Sequence, residues 1–296
     1  MRLDLQTLKL FVAVYEEQNL AKAAEREHLA ASAVSKRLAN LEQDLKVRIF
    51  ERKRTGMYPT PAGEALISHA RAILGRVSQL ETEISDFSTG LRGNLRVFAN
   101  TSAMVQYLPG DLRSFLARHP RVNVEIEETT SPLTVRAVAD NEAEIGIFGD
   151  VVQAPGLHSM VYRHDRLCLL VPERHPLGNA ESLRFAQALE HEFIGTPRGS
   201  SIDTAIMQAA SDLNLAVKMR MRVAGFEAIG RMVEAELGVA LVPEAVARSY
   251  VDIRRVRAIP LNESWVARRL MLCVRRLDTL SPPAKAFIDH LVGRKS

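Results

Sequence analysis

Apolar side chains recur every three or four residues in the first third of the chain, which is the pattern of helices that bury one face. The pattern predicts three short helices, over residues 5–17, 20–27 and 32–45. The third helix has an apolar stripe made of Val34, Leu38, Leu41 and Leu45. Its other side carries small or charged residues, namely Ser32, Ser35, Lys36 and Ala39.

Two interpretations fit the second and third helices. They form either an ordinary amphipathic helix pair or a helix-turn-helix whose exposed helix enters a DNA major groove. Asn19 stands where its side chain can cap the second helix. The segment over 50–60, FERKRTGMYPT, favours DNA binding, because it has the pattern of a short hairpin with a basic tip and a Gly turn. In such a hairpin the cations would contact phosphates beside the groove, and they are Arg52, Lys53 and Arg54.

Charge is concentrated in this region. The chain has a formal net charge of +4, and residues 30–54 alone contain seven cations against three acids. Contacts inside the groove are expected first from Ser35 and Lys36, and next from Ser32 and Arg37. Because each neutralised phosphate releases counterions, we expect DNA binding to weaken steeply with salt.

Residues 61–87 predict one long amphipathic helix. Its apolar positions alternate at spacings of four and three, at Leu66, Ala70, Ile73, Val77, Leu80, Ile84 and Phe87. This seam is typical of a coiled coil, and the alternative is a helix that lies on its own domain. At about 1.5 Å per residue the helix would extend about 40 Å, which is longer than the small domain beside it. We therefore expect two copies of the chain to pair here, placing two recognition helices on one DNA.

After residue 90 the pattern changes to short apolar strands that alternate with helices. Strands are predicted over 94–99, 123–127, 145–148, 167–171, 193–194, 218–223, 239–242 and 269–274. Helices are predicted over 104–118, 132–140, 202–214, 227–236 and 283–292. This alternation is typical of an α/β fold with a mostly parallel sheet covered by helices.

The motifs of both regions resemble one known family. AAEREHLAASAVSKRLANLEQDLKVRIFER, followed by TPAGE, resembles the winged helix-turn-helix of LysR-type transcriptional regulators over about residues 5–74. The later motifs LRVF with YLP, NEAEIGIFG, AELGVALVP and LSPPAKAFIDHL resemble the effector-binding domain of that family. Ala30 and Ala31 depart from the family pattern of a small polar residue followed by Gln, which removes a helix cap and a base-reading amide.

The resemblance implies an α/β protein with a helix-rich winged helix-turn-helix, a long linker helix and a two-lobed domain like that of periplasmic binding proteins. The expected divisions are the DNA-binding domain at 1–60, the linker and dimerisation helix at 61–90, and the effector-binding domain at 91–296. Within the last, lobe I would comprise 91–164 and 267–296, and lobe II 165–266. The chain would cross between lobes near 162–165 and return near 265–269.

Three loops are candidates for binding a ligand, because ligands of open α/β sheets collect beyond the carboxyl ends of the strands. Each loop precedes a predicted helix, where hydroxyls and free N–H groups suit an anion, although simple helix capping explains the same residues. The candidate ligand-binding residues are Asn100, Thr101, Ser102, Thr129, Thr130, Phe148, Arg198, Gly199, Ser200 and Phe226. Arg198 would pair with a carboxylate, and the two phenylalanines would supply apolar walls, so a small organic acid is expected.

Other function classes lack support in the sequence. There is no phosphate-binding loop, dinucleotide fingerprint or nucleophile elbow, so no enzyme activity, metal or cofactor is expected. Cys168 and Cys273 lie in apolar runs and are expected to be buried thiols. The sequence has no signal segment or membrane span, so a cytoplasmic protein is expected, which argues against an exported solute-binding protein with a helical appendage. The expected partners are double-stranded operator DNA, a small-molecule effector, RNA polymerase, and other copies of this chain in a dimer or tetramer. An alternative stays open, in which the C-terminal half only forms oligomers and binds no ligand.

Overall fold

The computed structural model describes residues 4–53, 56–89, 91–251 and 255–292, with side chains for all of these except 78, 79 and 81–89. It consists of two compact units: the first comprises the described residues up to 89 together with 140–142, and the second comprises the remaining described residues. The elements of the first unit are α1 (Leu5–Glu17), α2 (Leu20–Arg26), α3 (Ala31–Leu45), β1 (Phe50–Lys53), β2 (Gly56–Pro59) and α4 (Pro61–Thr89). The three predicted helices and the hairpin are confirmed, with helix ends within one residue of expectation.

Local interactions explain where α2 begins and ends. The Asn19 side-chain oxygen accepts from the backbone N–H groups of Ala21 at 2.9 Å and Lys22 at 3.2 Å, which confirms the predicted cap. The turn after α2 passes through His28 at φ 54°, and the next N–H, that of Leu29, donates to the carbonyl of Ala24 at 2.9 Å. This backbone geometry ends α2 and turns the chain into α3.

Helix α3 is held by its apolar stripe and by one acid. Val34, Leu38 and Leu41 are buried in the core of the first unit, while Leu45 packs at its edge. Glu42 Oε1 accepts from the N–H groups of residues 49 and 50, at 2.9 and 3.2 Å, and so fixes the start of the hairpin against α3. At the helix start the Ala30 position has no side-chain cap, as its sequence implies.

The seam of α4 divides into two parts. Leu66 and Ala70 contribute to the core of the first unit, so this part covers the helix's own domain. Ile73 and Leu80 are 43% and 58% exposed. The domain-covering interpretation therefore applies to the first turns of α4, and the pairing of two copies from residue 73 onward stays a prediction. The side chains of Ile84 and Phe87 lie outside the described residues.

The second unit contains the following further elements. The helices are α5 (Thr101–Gln106), α6 (Leu108–Arg118), α7 (Ser131–Ala139), α8 (Phe185–Ala188), α9 (Ser201–Asp212), α10 (Phe226–Glu234), α11 (Glu244–Val251) and α12 (Pro282–Val292). The strands are β3 (Arg92–Ala99), β4 (Arg121–Glu128), β5 (Ile145–Gly149), β6 (His158–Pro172), β7 (Phe193–Gly195), β8 (Met219–Arg222), β9 (Ala240–Pro243), β10 (Val256–Pro260) and β11 (Ala267–Val274).

Strand β6 connects two separate cores. Its first half pairs with β11, which continues through β5 and β3 to β4, while its second half pairs with β9 and β10. Strand β3 is parallel to both β4 and β5, whereas β11 is antiparallel to β5 and β6, and β6 is antiparallel to β9 and β10, so the expectation of a mostly parallel sheet is wrong. The core on the β3 side contains Phe115 and Phe287, and the core on the β9 side contains Phe185 and Phe193. We call the two bodies around these cores lobe I and lobe II.

Several elements differ from the prediction. The helix expected over 104–118 is two helices, because the backbone breaks at Tyr107 (φ −123°, ψ −45°) and Pro109 begins the second one. Strand β10 and helices α8 and α11 were not predicted. β10 and α8 are only five and four residues long, too short for a periodic pattern to stand out.

Candidate functional site

The outward side of α3 and the hairpin form one polar surface. Ser32, Lys36 and Arg37 are exposed and Ser35 is half-buried. The Arg52 guanidinium, on β1, donates from Nη2 to Ser35 Oγ at 2.7 Å. The structure therefore brings the predicted helix residues and the hairpin cation Arg52 onto the same side, with the hairpin hydrogen-bonded directly to the helix.

The remaining predicted cations have different surroundings. The Arg37 guanidinium lies 3.5 Å from Asp4 Oδ1 and 3.4 Å from Thr7 Oγ1, both at the start of α1. The pKa of Asp4 is lowered, chiefly by the hydrogen bond from the backbone of Thr7. Lys53 lies 3.8 Å from a Glu51 oxygen and over the ring of Tyr58. Arg54 lies outside the described residues.

The hairpin is fixed to the end of α1 through its glycine. Gly56 adopts φ +151°, and a Cβ there would lie 2.4 Å from the carbonyl oxygen of Gln18. The N–H of Met57 donates to that same oxygen at 2.9 Å. Because only glycine permits this approach, the Gly turn noticed in the sequence anchors the hairpin to the end of α1.

A cavity of about 230 Å³ lies between lobe I and lobe II. It is lined by Asn100, Thr101, Ser102, Glu128, Thr129, Thr130, Ser131, Thr196, Pro197, Ser200, Ser201, Ile202, Ala224, Gly225 and Phe226. Helices α5, α7, α9 and α10 all begin at this lining. Seven of the ten predicted ligand-binding residues are therefore brought together here, and Phe148, Arg198 and Gly199 are outside the lining.

Phe148 is a core residue and not a cavity wall. It is 2% exposed and packs with Phe98, Val138 and Cys273. Side chains alternate along β5, so Ile147 joins the lobe I core and Phe148 points to the opposite face of the sheet. A buried strand that is apolar on both faces does not reveal in its sequence which residue lies toward a ligand.

Arg198 and Gly199 belong to a loop whose conformation is fixed by Asp203. Gly199 has φ +76°, and its N–H donates to Asp203 Oδ2 at 3.0 Å. The other Asp203 oxygen pairs with Arg222, which also donates to the carbonyl of Thr196 at 3.1 Å. Arg198 is left exposed on this loop and does not provide the expected cation in the cavity.

Two of the lining residues hold the cavity wall together. Asn100 Oδ1 caps α5 by accepting from the N–H of Ala103 at 3.0 Å, and its Nδ2 donates to Ser131 Oγ at 3.3 Å. Ser131 Oγ in turn accepts from the N–H of Gly149 at 3.0 Å. The capping interpretation therefore applies to Asn100, and likewise to Ser200, whose Oγ accepts from the N–H of Asp203 at 3.2 Å.

The lining contains one charged side chain and no cation. That residue, Glu128, accepts from Thr101 Oγ1 at 2.7 Å. Glu128, Ile202 and Ala224 also line the cavity and were not predicted, because nothing in their local sequence distinguishes them from ordinary strand, helix and loop positions. Four helices begin at the lining, and the N-terminal end of a helix dipole favours anions.

Other parts of the unit offer weaker candidates. A wider cleft in lobe II is lined by both acidic and basic residues, and in it Arg220 Nη1 lies 2.5 Å from Glu192 Oε2. Among the residues that the structure describes, no cluster of three His, Cys, Asp or Glu could hold a metal. Cys168 and Cys273 are buried as predicted, and burial raises the pKa of each thiol to about 12.

Comparison with known proteins agrees with this architecture. The family model of the LysR substrate binding domain matches residues 88–295. The family model of the bacterial regulatory helix-turn-helix protein, lysR family, matches residues 5–64. A RuBisCO operon transcriptional regulator from Allochromatium vinosum is 25% identical over 293 residues, covering 99% of this chain and 97% of the relative.

Two solved structures illustrate the similarity of fold. Full-length CbnR complexed with its target DNA has a TM-score of 0.69 and 23% identity, covering 99% of this chain and all of that one. The effector binding domain of QuiR in complex with shikimate has a TM-score of 0.61 and 18% identity, covering 69% of this chain and 98% of that one. No helix in the described part of this chain is long and apolar enough to cross a membrane.

A helix-turn-helix joined by a long helix to a two-lobed ligand-binding domain defines a transcriptional regulator that carries its DNA-binding and ligand-binding domains on the same chain. The chain belongs to the LysR family of transcriptional regulators, whose family models together match most of its length. It is therefore a DNA-binding regulator with an effector-binding domain, and its relatives are regulators rather than enzymes.

Proposed function

We propose that this regulator binds operator DNA through α3 and the hairpin, and that a small organic acid in the cavity modulates that binding. The observation that carries the DNA-binding part is the hydrogen bond from Arg52 to Ser35, which joins the hairpin to the exposed side of α3. With this bond in place, α3 enters the major groove and the hairpin cations lie over the phosphates beside it.

Within this surface the residues have different roles. Ser35 and Lys36 contact base edges or phosphates inside the groove, and Ser32 does so at the helix start. Arg52, Lys53 and Arg54 contact phosphates or the neighbouring minor groove. Arg37 contributes less than its charge suggests, because its guanidinium is already beside Asp4 and Thr7.

The acid effector is supported by the four helix starts at the cavity. They supply N–H donors and positive potential, while Phe226, Pro197 and Ile202 supply an apolar wall. The shikimate complex of QuiR is a precedent for a carboxylic acid in a domain of this fold. Binding to both lobes changes their relative angle, and through this change the effector favours one DNA-binding state over another.

The oligomer forms first through α4. Ile73 and Leu80 each bury apolar area when two α4 helices pair, and burying such a side chain contributes about 1.5–3 kcal/mol. Dimers assemble further into a tetramer on the operator, where the complex acts on RNA polymerase.

Selection of DNA from a random pool by the full chain tests the proposal. We expect enriched sequences with two-fold symmetry, bound with an affinity that falls steeply with salt. Enrichment of asymmetric sites by a monomer would contradict the dimeric arrangement. Addition of small carboxylic acids should alter the affinity for the selected site, and a failure of every acid would contradict the effector class alone.

A further inference from the structure

The only charged side chain in the cavity lining is negative. Glu128 ends β4 in lobe I and is exposed. Its Oε1 accepts from Thr101 Oγ1 at 2.7 Å, and no cation or further donor approaches the carboxylate among the residues that the structure describes. Because like charges repel at short range, a ligand that brings only a carboxylate meets an opposing charge here. The lining therefore favours a ligand that also carries a cation.

On the lobe II side, the start of α9 offers hydrogen-bond donors. The Ser200 hydroxyl caps the N–H of Asp203, and the N–H of Thr204 donates to the carbonyl of Ser200 at 2.9 Å. The N–H groups of Ser201 and Ile202 precede these and have no acceptor within the described part of the chain. Both residues line the cavity, and α9 is 12 residues long, so its dipole adds positive potential at this end. This wall suits a carboxylate.

The Ser201 side chain is an independent sign of a ligand. It is 4% exposed, and its hydroxyl has no hydrogen-bond partner among the described residues. It is not one of the unpaired atoms that are closed off from solvent, so it opens into the cavity. A Cβ built on Gly149 would lie 3.1 Å from Ser201 Oγ and 3.8 Å from Asn100 Nδ2. Ser201 thus lies beside the start of α5, whose Thr101 contacts Glu128, and one small molecule can reach both walls.

We propose that the effector is a small α-amino acid with an apolar side chain. Its carboxylate accepts from Ser201 Oγ and the N–H groups at the start of α9, and its ammonium donates to the second carboxylate oxygen of Glu128. The two charged groups of the ligand thus bind different lobes, and only a molecule that has both joins them. This assignment rests on the proposed acid effector and adds which acids the cavity selects.

The nature of the side chain follows from the rest of the lining. Pro197, Ile202 and Phe226 form an apolar wall, and the lining has no cation. With Glu128 already paired to the ammonium, a further charge on the ligand would lose its hydration without gaining a partner. The cavity of about 230 Å³ is also smaller than sites for drug-sized ligands, so the side chain is short.

Isothermal titration of the full chain with matched ligands tests this inference. Leucine is compared with isocaproate, which lacks the ammonium, and with isoamylamine, which lacks the carboxylate. Valine, isovalerate and isobutylamine form a second set with the same two differences. The wild type should bind each amino acid about tenfold more tightly than either of its analogues, because each analogue loses one charge-assisted contact.

Glu128→Gln separates the charge of this side chain from its shape. Glutamine keeps the side-chain size and an acceptor for Thr101, and it removes the negative charge. The variant should bind the amino acids about tenfold more weakly and the carboxylate analogues no more weakly than the wild type does. Glu127→Gln is the matched control, because Glu127 is an exposed acid on the same strand whose side chain points to the other face. It should leave every affinity unchanged.

Ser201→Ala tests the contact on the other lobe. Loss of the hydroxyl should weaken an amino acid and its carboxylate analogue by the same factor, about threefold to tenfold, and leave the amine unaffected. Ser211→Ala is the control on the same helix, since Ser211 is exposed near the end of α9 and outside the cavity lining. Neither position belongs to the apolar core, so both variants should fold.

The outcomes separate the two proposals. If the wild type binds the carboxylate analogues as tightly as the amino acids, or if Glu128→Gln keeps the full preference for amino acids, the inference is wrong and the acid effector stands. Binding of the amines as tight as that of the amino acids would contradict the carboxylate contact. Binding only of amino acids with charged side chains would contradict the apolar part of the assignment. If no carboxylic acid binds, with or without an ammonium, the proposed effector class fails as well.

Discussion

The polar surface of α3 and the cavity of the second unit position their functional groups by different means. On α3, one amphipathic helix buries Val34, Leu38 and Leu41 and thereby exposes Ser32 and Lys36. The cavity draws on four separate segments of the chain, each at the start of a helix. A helix face is fixed by its own periodicity, whereas a cavity is fixed by how sheets and loops pack. The two regions should therefore respond differently to substitution.

The largest effect on stability is expected from a substitution in the core beneath the cavity, which can be compared with a substitution in the cavity wall. Phe148→Ala should lower the free energy of unfolding by about 3–5 kcal/mol, because the truncation leaves a void among Phe98, Val138 and Cys273. Chemical denaturation measures this change. Ligand affinity, extrapolated to fully folded protein, should stay within about twofold.

Phe226→Ala is the matched comparison, since Phe226 is also buried but lines the cavity. It should reduce both stability and ligand affinity. If Phe148→Ala instead weakened ligand binding as much as Phe226→Ala, the assignment of Phe148 to the core alone would be wrong.

The difference between the α3 surface and the cavity also explains which parts of the structure could be predicted from the sequence. Helices α1 to α3 and the hairpin follow from local patterns, because the caps and apolar stripes that form them lie within a few residues of each other. Lining residues such as Asn100 and Ser200 were found because strand ends and helix starts are also local signals.

What escaped prediction depends on distant contacts. The direction of Phe148 follows from which core each face of β5 covers, and the exposure of Arg198 follows from the pairing of Asp203 with Arg222. The buried contacts that Asp165 makes with Arg268 and Gln106 require β6, β11 and α5 to come together. Residues 165 and 268 are far apart in the chain, so no local pattern links them.

A smaller effect is expected on the α3 surface. Lys36→Ala should weaken binding to the selected DNA about tenfold at moderate salt and lower the slope of log affinity against log salt by about 0.9, because one phosphate contact is lost. Electrophoretic mobility shifts over a range of salt concentrations measure both quantities, and sedimentation should find the oligomer intact.

Lys9→Ala provides the control, because Lys9 is an exposed cation on α1 and not on the α3 surface. It should leave affinity and salt slope unchanged. Equal losses in the two variants would place the DNA elsewhere on the first unit and contradict the assignment of α3 as the recognition helix.

The smallest effect concerns the uncapped start of α3. Ala30 has φ −72° and ψ 138°, a conformation that suits a capping residue, yet its side chain makes no hydrogen bond. Ala30→Ser should add a cap to the free N–H groups of the first turn and stabilise the first unit by about 0.5–2 kcal/mol, as thermal unfolding of the full chain would reveal in that unit's transition. The adjacent variant Ala31→Ser lies inside the helix, where serine has lower propensity than alanine, and should give no gain. If Ala30→Ser gave no more stability than Ala31→Ser, the start of α3 would be satisfied by other means and the missing side-chain cap would carry no energetic cost.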